Sequence, residues 1–220
     1  MVRRLDLSRW RRRDHFLFFR EFENPFFNVC VKLDVSRLTE LVADEGRSFF
    51  LSSLYLSLKA ANAVEALKLR IRGDEVVEHD VVHGGSTVLR EDETFGFGYF
   101  DYTAHYDAFE RAGREILAAA RGSSDLGLAD GRDDLIFYSV LPWISFSSFS
   151  HARRSPAVDS NPRVVFGKRN GAAGGDCRLP VSVEVHHALA DGLDVARFLE
   201  AFEALLAEPE ATLNCGPDGT

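Results

Sequence analysis

The string VEVHHALADGLDVARF, residues 183 to 198, constrains this chain more than any other stretch of it. It reads as a strand, two adjacent histidines, a short turn ending in Asp191-Gly192, and then a helix. Side chains alternate along a strand, so His186 and His187 point to opposite sides and at most one of them can face a given cleft. The other is expected to be structural. A histidine at the carboxyl end of a strand, where the chain breaks into a turn, stands where α/β folds display reactive groups. Its ordinary pKa of about 6.5 lets it take and return a proton at neutral pH. The pattern alone leaves a blander alternative open, with HH as the polar end of a buried strand and DG as a common turn dipeptide.

The elements on either side suit a mixed sheet covered by helices. Residues 28 to 35 alternate as a strand, Ser36 is expected to cap a helix through Ala43, and residues 49 to 68 form a strongly apolar core helix. Residues 5 to 22 mix arginine with Trp10, Phe16, Phe18 and Phe19 and suggest a short helix on an apolar surface. From Leu69 to Leu89 short strand pieces surround the turn signals Gly73-Asp74 and Gly84-Gly85, and Phe95 to Tyr102 continues the strand pattern. Residues 105 to 121 are an amphipathic helix, and Asp134 to Phe149 reads as one long strand bent at Pro142. Residues 163 to 169 and 180 to 187 are further strands, with a turn at Gly171 to Asp176 between them. Leu193 to Glu208 is a helix with Val195, Phe198, Leu199, Phe202, Leu205 and Leu206 on one face. No internal repeat is visible. The expected fold is therefore a single α/β domain over residues 1–208, a mixed-sheet two-layer sandwich, followed by a disordered tail over 209–220.

Composition excludes several classes of function. With 26 Lys+Arg against 34 Asp+Glu the formal net charge is -8, which argues against nucleic acid as a partner. No apolar run is long enough to span a membrane, and the six arginines in the first thirteen residues are not followed by the apolar stretch of a secretory signal. These features predict a cytoplasmic protein. Cys30, Cys177 and Cys215 are an odd, widely spaced set that suits neither a disulfide framework nor a metal site, so no metal is expected.

Four stretches together resemble the chloramphenicol acetyltransferases. HHALADG and the following VARF match the family's HHAxxDG and xVxRF; WRRRDHFLFF at Trp10 to Phe19 matches WxRxxHFxxF. STVLREDETF at Ser86 to Phe95 matches TVFxxxTETF, and SVLPWISFSSF at Ser139 to Phe149 is the fourth. The matches are collinear and span residues 10 to 198. Dihydrolipoyl acyltransferase catalytic domains and peptide-synthetase condensation domains share the histidine motif, but the other matches favour the stand-alone antibiotic acyltransferases.

The resemblance implies the fold of CoA-dependent acyltransferases, a homotrimer with active sites at subunit interfaces, and acetyl-CoA as cosubstrate. It implies that His187 is the general base for an acceptor hydroxyl attacking the thioester. Ser139 would donate to the resulting oxyanion, a contact typically worth about 10²- to 10³-fold in rate. Asp191 would pair with Arg12 and hold the turn that carries His187. Lys168 matches a lysine near the coenzyme tunnel, where a CoA phosphate lies. Phe18, Phe19, Phe27, Phe95 and Phe149 align with aromatic positions of the acceptor pocket.

The acceptor side departs from the family pattern. Glu23 stands where the family has a small or apolar residue, Phe97 where it has a small one, and His151 where it has leucine, in a loop that also carries Arg153 and Arg154. Val165 replaces a threonine that holds a water near the oxyanion, and valine offers no such contact. The expected activity is acetyl-CoA-dependent O-acetylation of chloramphenicol, with antibiotic resistance as the associated role. Alternatives are the same chemistry on a more polar hydroxyl or amine, and a non-catalytic trimeric binding protein.

Overall fold

Strand β9 (Arg178–His186), which leads into the double histidine, is buried along almost its whole length and lies inside a six-stranded sheet. Its neighbours are β2 (Phe26–Asp34) and β8 (Arg163–Phe166), both antiparallel to it. Beyond β8 come β7 (Leu135–Val140), β5 (His83–Leu89) and β6 (Phe95–Phe100), with β7 parallel to both β8 and β5. The order β2-β9-β8-β7-β5-β6 makes a mixed sheet. The computed structural model describes residues 1–129, 131–153, 159–171 and 175–214.

One face of the sheet carries the core. Val181, Val183, Val185, Val164, Phe166, Ile136 and Tyr138 pack against α2 (Ser36–Asp44), α3 (Phe49–Asn62) and α5 (Gly192–Ala207). The helix α4 (Tyr106–Gly122) covers β6, where Ile116 leaves no room for a Cβ at Gly98. The alternate residues Phe26, Asn28 and Cys30 of β2, Ser182, Glu184 and His186 of β9, Val165 of β8 and Ser139 of β7 therefore point to the second face. This two-layer arrangement is the α/β fold read from the sequence.

A three-stranded antiparallel sheet lies apart: β1 (Val2–Arg4), β4 (Glu75–His79) and β3 (Leu69–Arg72), in the order β1-β4-β3. Its Leu69 and Val76 form a second small core with Phe16 of α1 (Arg13–Phe19) and with Ala188 and Leu189. That core ties α1 to the turn after β9. Arg70 is fully buried and donates to the carbonyls of Leu67, Leu69, Asp133 and Leu135, which joins the two sheets; burial pushes its pKa down to about 10. No helix among the described residues is long and apolar enough to cross a membrane.

Several elements differ from the sequence reading. The helix expected over 5–22 forms only at Arg13–Phe19, with the Arg20 N–H closing its last turn on the Phe16 carbonyl. Val35, not Ser36, holds the cap position of α2, and Ser36 Oγ instead accepts the N–H of Cys177. The core helix stops at Asn62, whose side chain bonds both the N–H and the carbonyl of Val82, and only a short 3-10 turn follows at Glu65–Lys68. Gly84-Gly85 is not a turn: both residues lie within β5, where Leu54 and Leu58 press on one and Phe137 and Tyr99 on the other. The long strand through Pro142 ends at Val140, since the chain turns back with Ile144 N–H on the Leu141 carbonyl and leaves Trp143 exposed. Finally, the expected tail begins with helix α6 (Glu210–Leu213), anchored by the buried Leu213. Cys215, Arg154 and residues 215–220 lie outside the described residues.

Candidate active site

The turn after β9 is assembled from backbone contacts first. His187 N–H donates to the Pro25 carbonyl (2.7 Å), which fastens the turn to the start of β2. Asp191 caps α5 by accepting from Leu193 N–H, while Asp194 accepts from the Asp191 N–H, a reciprocal capping box. Arg12 reaches across from the turn before α1, bonding Asp191 Oδ2 at 2.6 Å and the His187 carbonyl at 3.1 Å. Burial pushes the Asp191 carboxyl up, but the Arg12 guanidinium and the capped N–H groups outweigh it and hold it below the usual range.

Within this frame the two histidines differ. His186 is buried and accepts the Ala188 N–H on Nδ1. Burial, and then the nearby Arg153 charge, push its imidazole down to about 4, so it is neutral at pH 7. His187 is partly exposed, and its Nδ1 lies 3.2 Å from the Ala190 carbonyl. A carbonyl can only accept, so Nδ1 donates in this contact, which in the neutral ring leaves the lone pair on Nε2. Phe19 stacks on the His187 ring with centroids 4.0 Å apart and planes 9° apart, and Phe27 approaches at 4.7 Å. Phe18 meets Phe19 edge-on and is itself 62% exposed; Glu23 is exposed in the connection to β2.

A second group of expected site residues lies elsewhere on the sheet. Ser139 of β7 pairs with Val165 of β8, which pairs with Ser182 of β9. The same row continues through Thr87 to Phe97 on β6, with Phe95 two residues along. His187 is five residues beyond Ser182 and two strands from Ser139. At about 3.3 Å per residue and 4.8 Å per strand, that separates His187 from Ser139 by about 19 Å within one chain. Within one chain the expected site residues thus fall into two separate groups: Arg12, Phe19, Phe27, His187 and Asp191 in one, and Ser139, Val165 and Phe97 in the other. Lys168 is exposed just after β8, its N–H on the Ile144 carbonyl.

Between them sits a charged cluster. Glu184, Arg163 and Phe137 form the next row, one side-chain repeat from Ser139. Arg153 bonds Glu184 at 2.6 Å and Asp159 at 3.2 Å, Arg163 bonds Asp159 at 2.6 Å, and the Arg153 guanidinium lies 3.9 Å over the Phe26 ring. His151 packs edge-on to Phe149, with Nδ1 3.8 Å from Glu184, too long for a hydrogen bond. Burial raises the Glu184 carboxyl, but His151 and Arg153 outweigh it and bring it to about 2. The sequence reading did not anticipate the cluster of Arg163, Asp159 and Glu184. The one signal was a glutamate between Val183 and Val185 in an apolar strand.

Comparison with known proteins gives the family and the fold. The family model for chloramphenicol acetyltransferase matches residues 1–203. Chloramphenicol acetyltransferase 3 of Escherichia coli is 29% identical over 206 residues, covering 92% of this chain and 95% of that protein. A solved structure of a chloramphenicol acetyltransferase superposes with a TM-score of 0.86 at 28% identity, over 94% of this chain and all of the other. The dihydrolipoamide acetyltransferase of Azotobacter vinelandii superposes with a TM-score of 0.67 at 18% identity, over 90% of this chain and 88% of the other, a likeness of fold alone.

Proposed function

The chain belongs to the chloramphenicol acetyltransferase family and is an acyltransferase, and from that premise we propose that it transfers an acetyl group from acetyl-CoA to a hydroxyl of chloramphenicol. The observation that carries this reading is the His187 ring, held by the Ala190 carbonyl with Nε2 left free as a base. Nε2 removes the acceptor's hydroxyl proton as its oxygen bonds to the thioester carbonyl carbon. Ser139 donates to the oxyanion that develops. Collapse breaks the carbon–sulfur bond, and the imidazolium returns its proton to the departing sulfur. Acetyl-CoA supplies the activated acyl group, and Lys168 is the residue proposed to meet a CoA phosphate.

The two groups about 19 Å apart support a site shared between copies, with His187 of one facing Ser139 of the next in the homotrimer that the family resemblance implies. Phe19 and Phe27 beside His187, Phe18 near them, and Phe95, Phe97 and Phe149 near the serine row are then the aromatic walls around the acceptor. The test is direct: purified protein is mixed with chloramphenicol and acetyl-CoA, and thiol release is followed. His187→Ala is expected to lower the rate by about 10²- to 10⁴-fold. An unchanged rate overturns the mechanism.

A second reading keeps the chemistry and changes the acceptor. The cluster of Arg153, Glu184, Asp159, Arg163 and His151 beside the Ser139 row favours a more polar hydroxyl or amine, because apolar ligand surface against charged groups costs free energy. Competing polar aminoalcohols against chloramphenicol in the same assay separates the two. Retention of Ser139, His187 and the Arg12–Asp191 pair argues against a purely structural descendant.

A further inference from the structure

Taking the proton makes His187 a cation, and no carboxylate among the described residues of its own chain is ion-paired with it. Asp191, the nearest candidate on α5, is engaged by Arg12 and by the helix N–H of Leu193. Arg12 adds positive charge at the His187 carbonyl, and His186 on the same turn is neutral. On the α1 side Arg20 is bound to Asp74 and lies over Phe16, and Glu23 is exposed. What faces the His187 ring is aromatic: Phe19 in parallel at 4.0 Å and Phe27 tilted at 4.7 Å.

We propose that Phe19 is a positioning residue that also stabilises the imidazolium of His187 through its π-face, in the place a carboxylate counter-ion would otherwise take. Cations within about 6 Å of an aromatic centroid are attracted by the ring's quadrupole. The interaction strengthens as His187 takes the acceptor's proton, so it lowers the barrier rather than merely binding the ground state. Phe18 and Phe22 buttress the ring from its edges, at 5.0 and 5.2 Å from Phe19, so its plane is fixed by α1 and the turn after it. The inference rests on His187 acting as the base.

The test uses the full-length protein with graded ring substitutions at position 19. Replacing Phe19 with mono-, di- and trifluorophenylalanine keeps the ring's shape and drains its π-face. The expected result is a stepwise fall in kcat, reaching about tenfold, with KM for acetyl-CoA unchanged. Phe19→Leu should show the same fall, with the acidic limb of kcat/KM moved to lower pH, and Phe19→Trp should restore the rate. Nitrogen-15 NMR titration of His187 across the series reads the same effect without turnover. A rate and a His187 titration indifferent to fluorination overturn the inference, even if Phe19→Leu is slow through loss of packing. If His187→Ala retains full thiol release, the reading of His187 as base fails, and the inference fails with it.

Discussion

At the scale of single residues, the adjacent histidines show how one chemical type is set to two tasks by position. His186 ends the strand, sealed against Phe26, and is kept neutral by burial and by Arg153. Its folded pKa lies below the ordinary value, so its contribution to stability is complete above about pH 6.5 and is lost as the pH falls towards about 4. His186→Asn, which keeps an acceptor for the Ala188 N–H, should flatten the fall in urea stability over that window by on the order of 3 kcal/mol. Parallel stability curves for the two proteins would show that His186 is not the group that charges. Val165 is a second case. It is fully buried beside Ser139 and presents methyl groups, where the family resemblance implies a threonine whose hydroxyl holds a water. Val165→Thr is expected to raise kcat about threefold and to lower the melting temperature, since a buried hydroxyl carries a desolvation cost. A slower enzyme with unchanged stability would contradict this account.

At the scale of elements, the strand–turn–helix unit around β9 and α5 was the most legible part of the sequence. Its alternation, its Asp-Gly and its apolar helical face are local signals, and each reports a backbone preference that the fold keeps. The Arg12–Asp191 pair was legible only through the family resemblance, because nothing local links residues so far apart in the chain. The structure adds that the pair is unevenly covered: the Arg12 side chain is 12% exposed and that of Asp191 41%. The full penalty of a buried ion pair therefore does not apply. A double-mutant cycle with Arg12→Ala and Asp191→Asn should give a coupling of about 1 kcal/mol in stability, with a larger loss in kcat as the His187 turn loosens. Coupling in stability with no effect on kcat would make the pair a structural tie only. Misread elements failed for nonlocal reasons: Gly84 and Gly85 resemble a turn, yet they lie within β5, where side chains from α3, β6 and β7 come within 3.2–3.4 Å of the place a Cβ would take.

At the scale of the whole molecule, most strands were legible, β1 and the start of β5 apart, and their order was not. Whether Ser139 lies beside His187 depends on which strands separate β7 from β9 and on their register, and neither is written in local periodicity. The same holds for the charged cluster, since Arg153 and Glu184 meet only when the segment after Phe149 folds back over the second face of the sheet. Register places the serine and the histidine about 19 Å apart in one chain, so the proposed function requires assembly. The most direct measurement is complementation between His187→Ala and Ser139→Ala, unfolded together and refolded as a mixture. Each variant alone is expected to be at least about 10²-fold slower than the parent. In random mixed trimers about a quarter of the interfaces combine an intact His187 with an intact Ser139, so the mixture should recover about a quarter of the parent activity. A mixture no faster than its components, or a fully active monomer, would contradict a site shared between copies.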